Sequence, residues 1–187
     1  MPVEFLKRRF DVDDYHRMAE AGILTEDDRV ELIDGEILAM TPIGPRHNAA
    51  VNRATRALVT AVGERAIVQV QGSVRLDRFN EPQPDLVLLR PQHDFYASRL
   101  PGPADILLVI EIAQSSLQYD QEVKTRIYAE AGVPEYWLVN VDEDNVSCFT
   151  DARDGAYRKV LRYERDQSLA PASLPECLIP VRVLTAH

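Results

Sequence analysis

Cysteine is scarce in this chain: Cys148 and Cys177 stand far apart and no C-x-x-C pair occurs. A disulfide scaffold is therefore not expected, and two reduced thiols in a cytoplasmic protein are. Histidine is nearly as rare. His16, His47, His93 and His187 show neither H-x-x-x-H spacing nor a pairing with cysteine, which excludes the usual zinc patterns. No apolar run approaches the roughly 20 residues that cross a bilayer. None follows Lys7, Arg8 and Arg9 either, so neither a membrane span nor a secretory signal is expected. Positive charge is also short, with 21 Lys and Arg against 30 Asp and Glu and a net charge of −9. A generic nucleic-acid binder is basic because phosphate contacts supply most of its affinity, so this balance weighs against one.

What remains is ordinary globular material. The 187 residues are 45% hydrophobic and 27% charged, enough for one core and one domain spanning 1–187. Asp11 to Ala21 reads as a helix capped by Asp11 and stopped by Gly22. Asp34-Gly35 between apolar arms signals a hairpin, and Asp154-Gly155 signals a second. Arg46 to Val62 is the longest helical pattern, with Val51, Ala54, Leu58, Ala61 and Val62 as its buried stripe. Ala66 to Val70 and Ser73 to Leu76 read as strands, with Gly72 marking a bulge between them. A helix is expected from Leu117 to Ala131 after Ser115-Ser116, and a buried strand from Glu135 to Val141. Ile179 to Leu184 closes the chain as one apolar segment.

The chemistry concentrates between Pro84 and Tyr128. Ile106-Leu107-Leu108-Val109-Ile110 reads as a strand buried on both faces, and it runs straight into Glu111. Asp85 stands at the start of the neighbouring strand Leu86-Val87-Leu88-Leu89. Antiparallel pairing would bring the start of one strand beside the end of the other, so the two carboxylates would converge. They repel unless a cation lies between them, and Lys124 follows on the next helix. Mg²⁺ or Mn²⁺ held by Asp85, Glu111 and the Ile112 carbonyl would leave positions for water and a phosphate oxygen. Asp120 and Tyr128 lie four residues either side of Lys124 and are placed to hold it. A surface Asp120–Lys124 pair worth about 0.3–0.5 kcal/mol is the plainer reading of the lysine. A turn-capping acid is the plainer reading of Asp85.

Two further groups carry weaker signals. Arg46, Arg53 and Arg56, with His47 beside them, share one stretch of helix without an acid before Glu64. That strip is either a solvated helix face or a track for nucleic-acid phosphates. Glu31 sits on the first arm of the hairpin and, from its pattern alone, is an acid on a solvated strand face.

The stretches Val30-Glu31-Leu32-Ile33-Asp34-Gly35-Glu36, Pro45-Arg46-His47 and Gln83-Pro84-Asp85-Leu86 resemble the Uma family (Uma-two) of restriction endonuclease-like proteins. Val109-Ile110-Glu111-Ile112, Asp120 with Lys124 and Tyr128-Ala129, and Ala131-Gly132-Val133-Pro134-Glu135-Tyr136-Trp137 extend the likeness from about Asp11 to Leu184. That family lies in the PD-(D/E)XK phosphodiesterase superfamily. The resemblance implies a mixed α/β fold, a restriction endonuclease-like β-sheet flanked by helices. It implies Asp85 and Glu111 as metal ligands, Lys124 as the catalytic lysine, Glu31 as an accessory acid, and a homodimer. The superfamily lysine usually follows the glutamate by two residues, where this chain has Ala113, so Lys124 would act from the helix instead. The expected activity is metal-dependent hydrolysis of nucleic acid, DNA ahead of RNA. The alternatives are a catalytically silent nuclease-fold module whose acidic surface binds protein, and a hydrolase of small nucleotides.

Overall fold

The computed structural model describes residues 7–25, 27–40, 44–113 and 120–185, with the side chains of residues 120 and 121 excepted. Helix α1 (Val12–Glu20) begins at Asp11, whose Oδ1 accepts the Asp14 N–H at 2.8 Å while Asp14 reaches back to the Asp11 N–H. This reciprocal cap satisfies two donors that the first helical turn leaves over. Strands β1 (Val30–Ile33) and β2 (Glu36–Ala39) form a small separate hairpin. Its turn is Asp34-Gly35, with φ of 52° and 77°, the doubly left-handed geometry that suits strand twist. Helix α2 (Pro45–Val62) starts on proline at its first position, where no N–H is needed, and stops at Gly63.

The main sheet has six strands: β3 (Ile67–Val70), β4 (Leu86–Leu89), β5 (Ile106–Ala113), β6 (Glu135–Asn140), β7 (Asn145–Arg153) and β8 (Ala156–Glu164), in that spatial order. All neighbours are antiparallel except β5 and β6, which run parallel. A parallel pair needs a crossover, and here a π-helical turn (Asp120–Lys124) continues into helix α3 (Thr125–Glu130). Short strands β9 (Ser168–Leu169) and β10 (Ile179–Pro180) pair apart from the sheet and lead into helix α4 (Val181–Thr185).

Every residue of β4, β5 and β6 is buried, because both faces are covered. Leu86, Leu88, Leu108, Ile110 and Trp137 pack against Ala54 and Leu58 of α2 and Leu184 of α4. Val87, Val109, Tyr136 and Leu138 pack on the other side against Ile127 and Tyr128 of α3. Alternate side chains of each strand thus meet different helices, which is why these strands read as unbroken apolar runs.

Three sequence expectations change in the structure. Ser73–Leu76 forms no strand; its buried Val74 and Leu76 bond to the carbonyls of Pro82 and Asn80 in an irregular turn. The chain turns out of β3 at Gln71, which itself takes φ 48°, and not at a Gly72 bulge. A Cβ at Gly72 would lie 2.7 Å from the Gln69 side chain, which would have to move to admit it. The segment from Ile179 divides into β10 and α4. The expected helix start, Leu117 with Ser115 and Ser116, lies outside the described residues.

Glu135, the first residue of β6, is buried and accepts from Trp137 Nε1 at 2.7 Å, Ala172 N–H at 2.6 Å and the Cys148 thiol at 3.3 Å. It pins the irregular C-terminal segment to the sheet. Burial pushes its pKa up despite these donors. A carboxyl whose folded pKa is raised costs nothing while protonated in both states; stability then falls as pH rises from about 4.3 through the raised value and levels off above it. Chemical denaturation of Glu135→Gln between about pH 4 and 8 should show a smaller decline than wild type over that window.

Candidate active site

Strands β4 and β5 are in register with Leu86 opposite Ile110, which places Asp85 next to Glu111 at the sheet's end. The Asp85 N–H donates to Glu111 Oε2 at 3.3 Å. The convergence expected from antiparallel pairing is what the register delivers. Asp85 is held from several sides: its Oδ2 accepts the Ile112 N–H at 2.9 Å, and its Oδ1 lies 2.9 Å from His47 Nε2 and 3.4 Å from Gln71 Nε2. Ile112, expected to offer its carbonyl, thus contributes its N–H to Asp85. His47 comes from the first turn of α2, on the opposite face of the sheet from α3.

Lys124 reaches the same place from the π-helical turn before α3. It is 4% exposed, with Nζ 2.6 Å from Glu31 Oε2 and 3.3 Å from Glu111 Oε1. The surface-pair reading of Lys124 does not survive this burial. The side chain of Asp120 lies outside the described residues. Tyr128 donates its hydroxyl to Glu111 Oε1 at 2.8 Å. Burial, reinforced by the charges of Glu111 and Glu31, pushes the Tyr128 pKa well up, so the phenol stays protonated and remains a donor.

Glu31 is likewise not on a solvated face. Leu32 bridges to Glu81, so the hairpin arm folds inward and buries Glu31 against Lys124. Its Oε2 also accepts the Gln83 N–H at 3.2 Å. Sequence pattern alone could not show this, because β1 is too short for its two faces to be told apart.

The structure therefore brings Glu31, Asp85, Glu111, Lys124 and Tyr128 together, with His47 added. Arg46, Arg53 and Arg56 lie along α2. Arg46 pairs with Asp142 at 3.4 Å, Arg53 is half-buried and Arg56 is exposed. His47, placed by sequence with that basic strip, sits instead on Asp85; Pro45 at the helix start was the signal fixing it in the first turn. Gln83 stood in the sequence only within the family-like stretch Gln83-Pro84-Asp85-Leu86, and Gln71 gave no functional signal.

Three carboxylates, Glu31, Asp85 and Glu111, face one ammonium and one imidazole. The negative excess and the all-carboxylate donors suit a hard divalent cation. Among the described residues no group of three or more His, Cys, Asp or Glu side chains could hold a metal by itself. A pair of carboxylates is instead the donor set of Mg²⁺ or Mn²⁺, which keep waters and complete their shell with substrate.

The family model for Uma2, described as "Putative restriction endonuclease", matches residues 12–182. A solved structure titled as a putative nuclease belonging to DUF820 from Anabaena variabilis aligns with a TM-score of 0.74 at 16% identity, over 95% of this chain and 98% of that one. At that identity the likeness shows the fold, a mixed sheet flanked by helices as the resemblance implied. No curated protein matches the sequence.

The buried ion pairs make one stability test available. In chelator, Lys124→Met should destabilise the protein by about 3–5 kcal/mol, because it strands two buried carboxylates. Adding Glu31→Gln should restore part of that loss in urea melts, and a double variant no more stable than the single would contradict the bridge.

Proposed function

The chain belongs to the Uma2 family, described as "Putative restriction endonuclease", and from this premise we propose that it hydrolyses phosphodiester bonds of nucleic acid, DNA ahead of RNA, with Mg²⁺ or Mn²⁺. The observation that carries the reading is the buried bridge of Lys124 between Glu31 and Glu111, with Asp85 alongside. Asp85 and Glu111, with the Ile112 carbonyl, would hold the cation. When bound, such an ion polarises a phosphate oxygen and makes a coordinated water acidic enough to attack at neutral pH.

The protein's own groups do the rest. Lys124 presents an ammonium at the edge of the pair, where it can stabilise negative charge gathering on phosphate. Glu31 holds the lysine against Glu111, and Tyr128 fixes the Glu111 carboxylate. His47 and Gln71 steady Asp85 from the other side. Arg46, Arg53 and Arg56 on α2 supply the local positive potential that draws in a polyanion despite the net charge of −9.

We further take residues 1–187 as a single domain acting in the cytoplasm, a setting that suits two free, buried cysteines, of which Cys148 has its pKa pushed up to about 12 by burial. A homodimer belongs to the same reading. The net charge of −9 is what favours the alternative of a silent interaction module, whose acidic surface would bind protein.

Plasmid nicking with Mn²⁺ separates these readings. Asp85→Asn and Lys124→Ala should each lower the rate at least about a hundredfold, the scale of losing a group that acts on developing charge. Calorimetry should show Mn²⁺ binding that Asp85→Asn removes. Binding unaffected by that change, with nicking equal in all three proteins, would return the protein to the interaction-module reading.

A further inference from the structure

Beside the acids the structure opens a cleft of about 740 Å³, a size typical of sites for small ligands. Its walls include Gln71, Gln83, Asn48, Met40, Asp28 and Arg29. Two of these touch the catalytic candidates: Gln71 Nε2 lies 3.4 Å from Asp85 Oδ1, and Gln83 N–H lies 3.2 Å from Glu31 Oε2. The cleft is therefore an extension of the same site.

The two glutamines are fixed. Gln71 is held at φ 48°, a left-handed geometry that a non-glycine residue seldom adopts. Its backbone N–H is tied to the Asp85 carbonyl at 2.9 Å. Gln83 Nε2 donates to the Gln71 carbonyl at 2.6 Å, which leaves the Oε1 of the same amide as an acceptor. Asn48 is exposed on the first turn of α2, one residue after His47.

The chemistry of these walls does not suit a row of phosphates. Arg29 among the lining residues is outnumbered by Asp27 and Asp28, and the remaining polar groups are neutral amides. Amides pair with both a donor and an acceptor on a base edge, and a carboxylate accepts from an exocyclic amino group. Met40 adds a polarisable flank against which a flat ring can pack. A base still paired and stacked in a duplex has its pairing edge occupied and cannot offer it to these amides; an unpaired or extruded one can.

Resting on the hydrolase reading above, we propose that this cleft receives one unpaired nucleobase, that of the nucleotide adjoining the phosphate at Asp85 and Glu111. Single-stranded nucleic acid, or a free nucleotide offering the same base, is then preferred to intact duplex, and Asn48 is a specificity-determining residue. The acidic balance of the protein is compatible with this choice, because a single strand carries a lower charge density than a duplex.

Fluorescence anisotropy in chelator tests it with a short labelled single strand, its duplex, and dAMP as competitor. The single strand should bind at least about tenfold more tightly than the duplex, and Asn48→Leu should weaken it by about tenfold while leaving duplex binding unchanged. Asn48→Gln should recover part of the loss. Competition by dAMP identifies the free nucleotide as sufficient; strand binding without such competition assigns the base to a polymer, and either supports the cleft. Duplex bound as tightly as single strand, with Asn48→Leu indifferent, overturns it even if nicking is confirmed. Conversely, single-strand binding that persists and depends on Asn48 in a protein without nicking activity upholds the cleft and rejects hydrolysis.

Discussion

A lysine ammonium buried between two glutamates holds this molecule's working end in place. Removing Lys124, Glu31 and Glu111 from water is costly, and the contacts of 2.6 and 3.3 Å offset that cost only when all three arrive together. The hairpin must fold its β1 arm inward, the π-helical turn must aim Lys124 at the sheet, and β5 must end where it does. Each of these elements is separately a modest structure. Their common dependence on one charge cluster adds to the Leu32–Glu81 backbone bridge in tying the hairpin, which lies outside the main sheet, to the rest.

The sheet supplies the second constraint. Antiparallel register between β4 and β5 places Asp85 beside Glu111, and the parallel step from β5 to β6 starts a crossover helix close to the end of β5. Helices on opposite faces therefore converge on the same edge, α2 with His47 and α3 with Lys124 and Tyr128. Two carboxylates at a dry sheet end are thereby clamped from both sides, which limits how far either can turn. Such fixed oxygen donors favour a cation that accepts few protein ligands and keeps water.

Much of this was legible in the sequence, and the reasons differ by element. The apolar runs of β4 and β5, each bounded by an acid, announced both their burial and the meeting of Asp85 with Glu111. The two Asp-Gly hairpins and the Gly stops of α1 and α2 rest on local backbone chemistry, which a linear reading captures well. The burial of Glu31 was not legible, because it depends on the Leu32 to Glu81 bridge between segments far apart in the chain. The same holds for His47, whose partner is 38 residues away. The turn at Gln71 was misplaced onto Gly72 because glycine is the usual owner of a left-handed position, whereas here Gly72 lies close against the Gln69 side chain. The π-helical turn left no trace in composition, since it holds no glycine or proline and differs from an α-helix only in its hydrogen-bond span.

The separation of Glu31 from Lys124 by 93 residues sets an order of events during synthesis. The glutamate leaves the ribosome long before the ammonium that pairs with it. Until the later segment is made, burying that acid leaves its charge without this partner, so full burial of Glu31 is favoured only once Lys124 arrives. Completion of the Glu31–Lys124–Glu111 cluster thus waits on a late-made segment, and a chain released early lacks it.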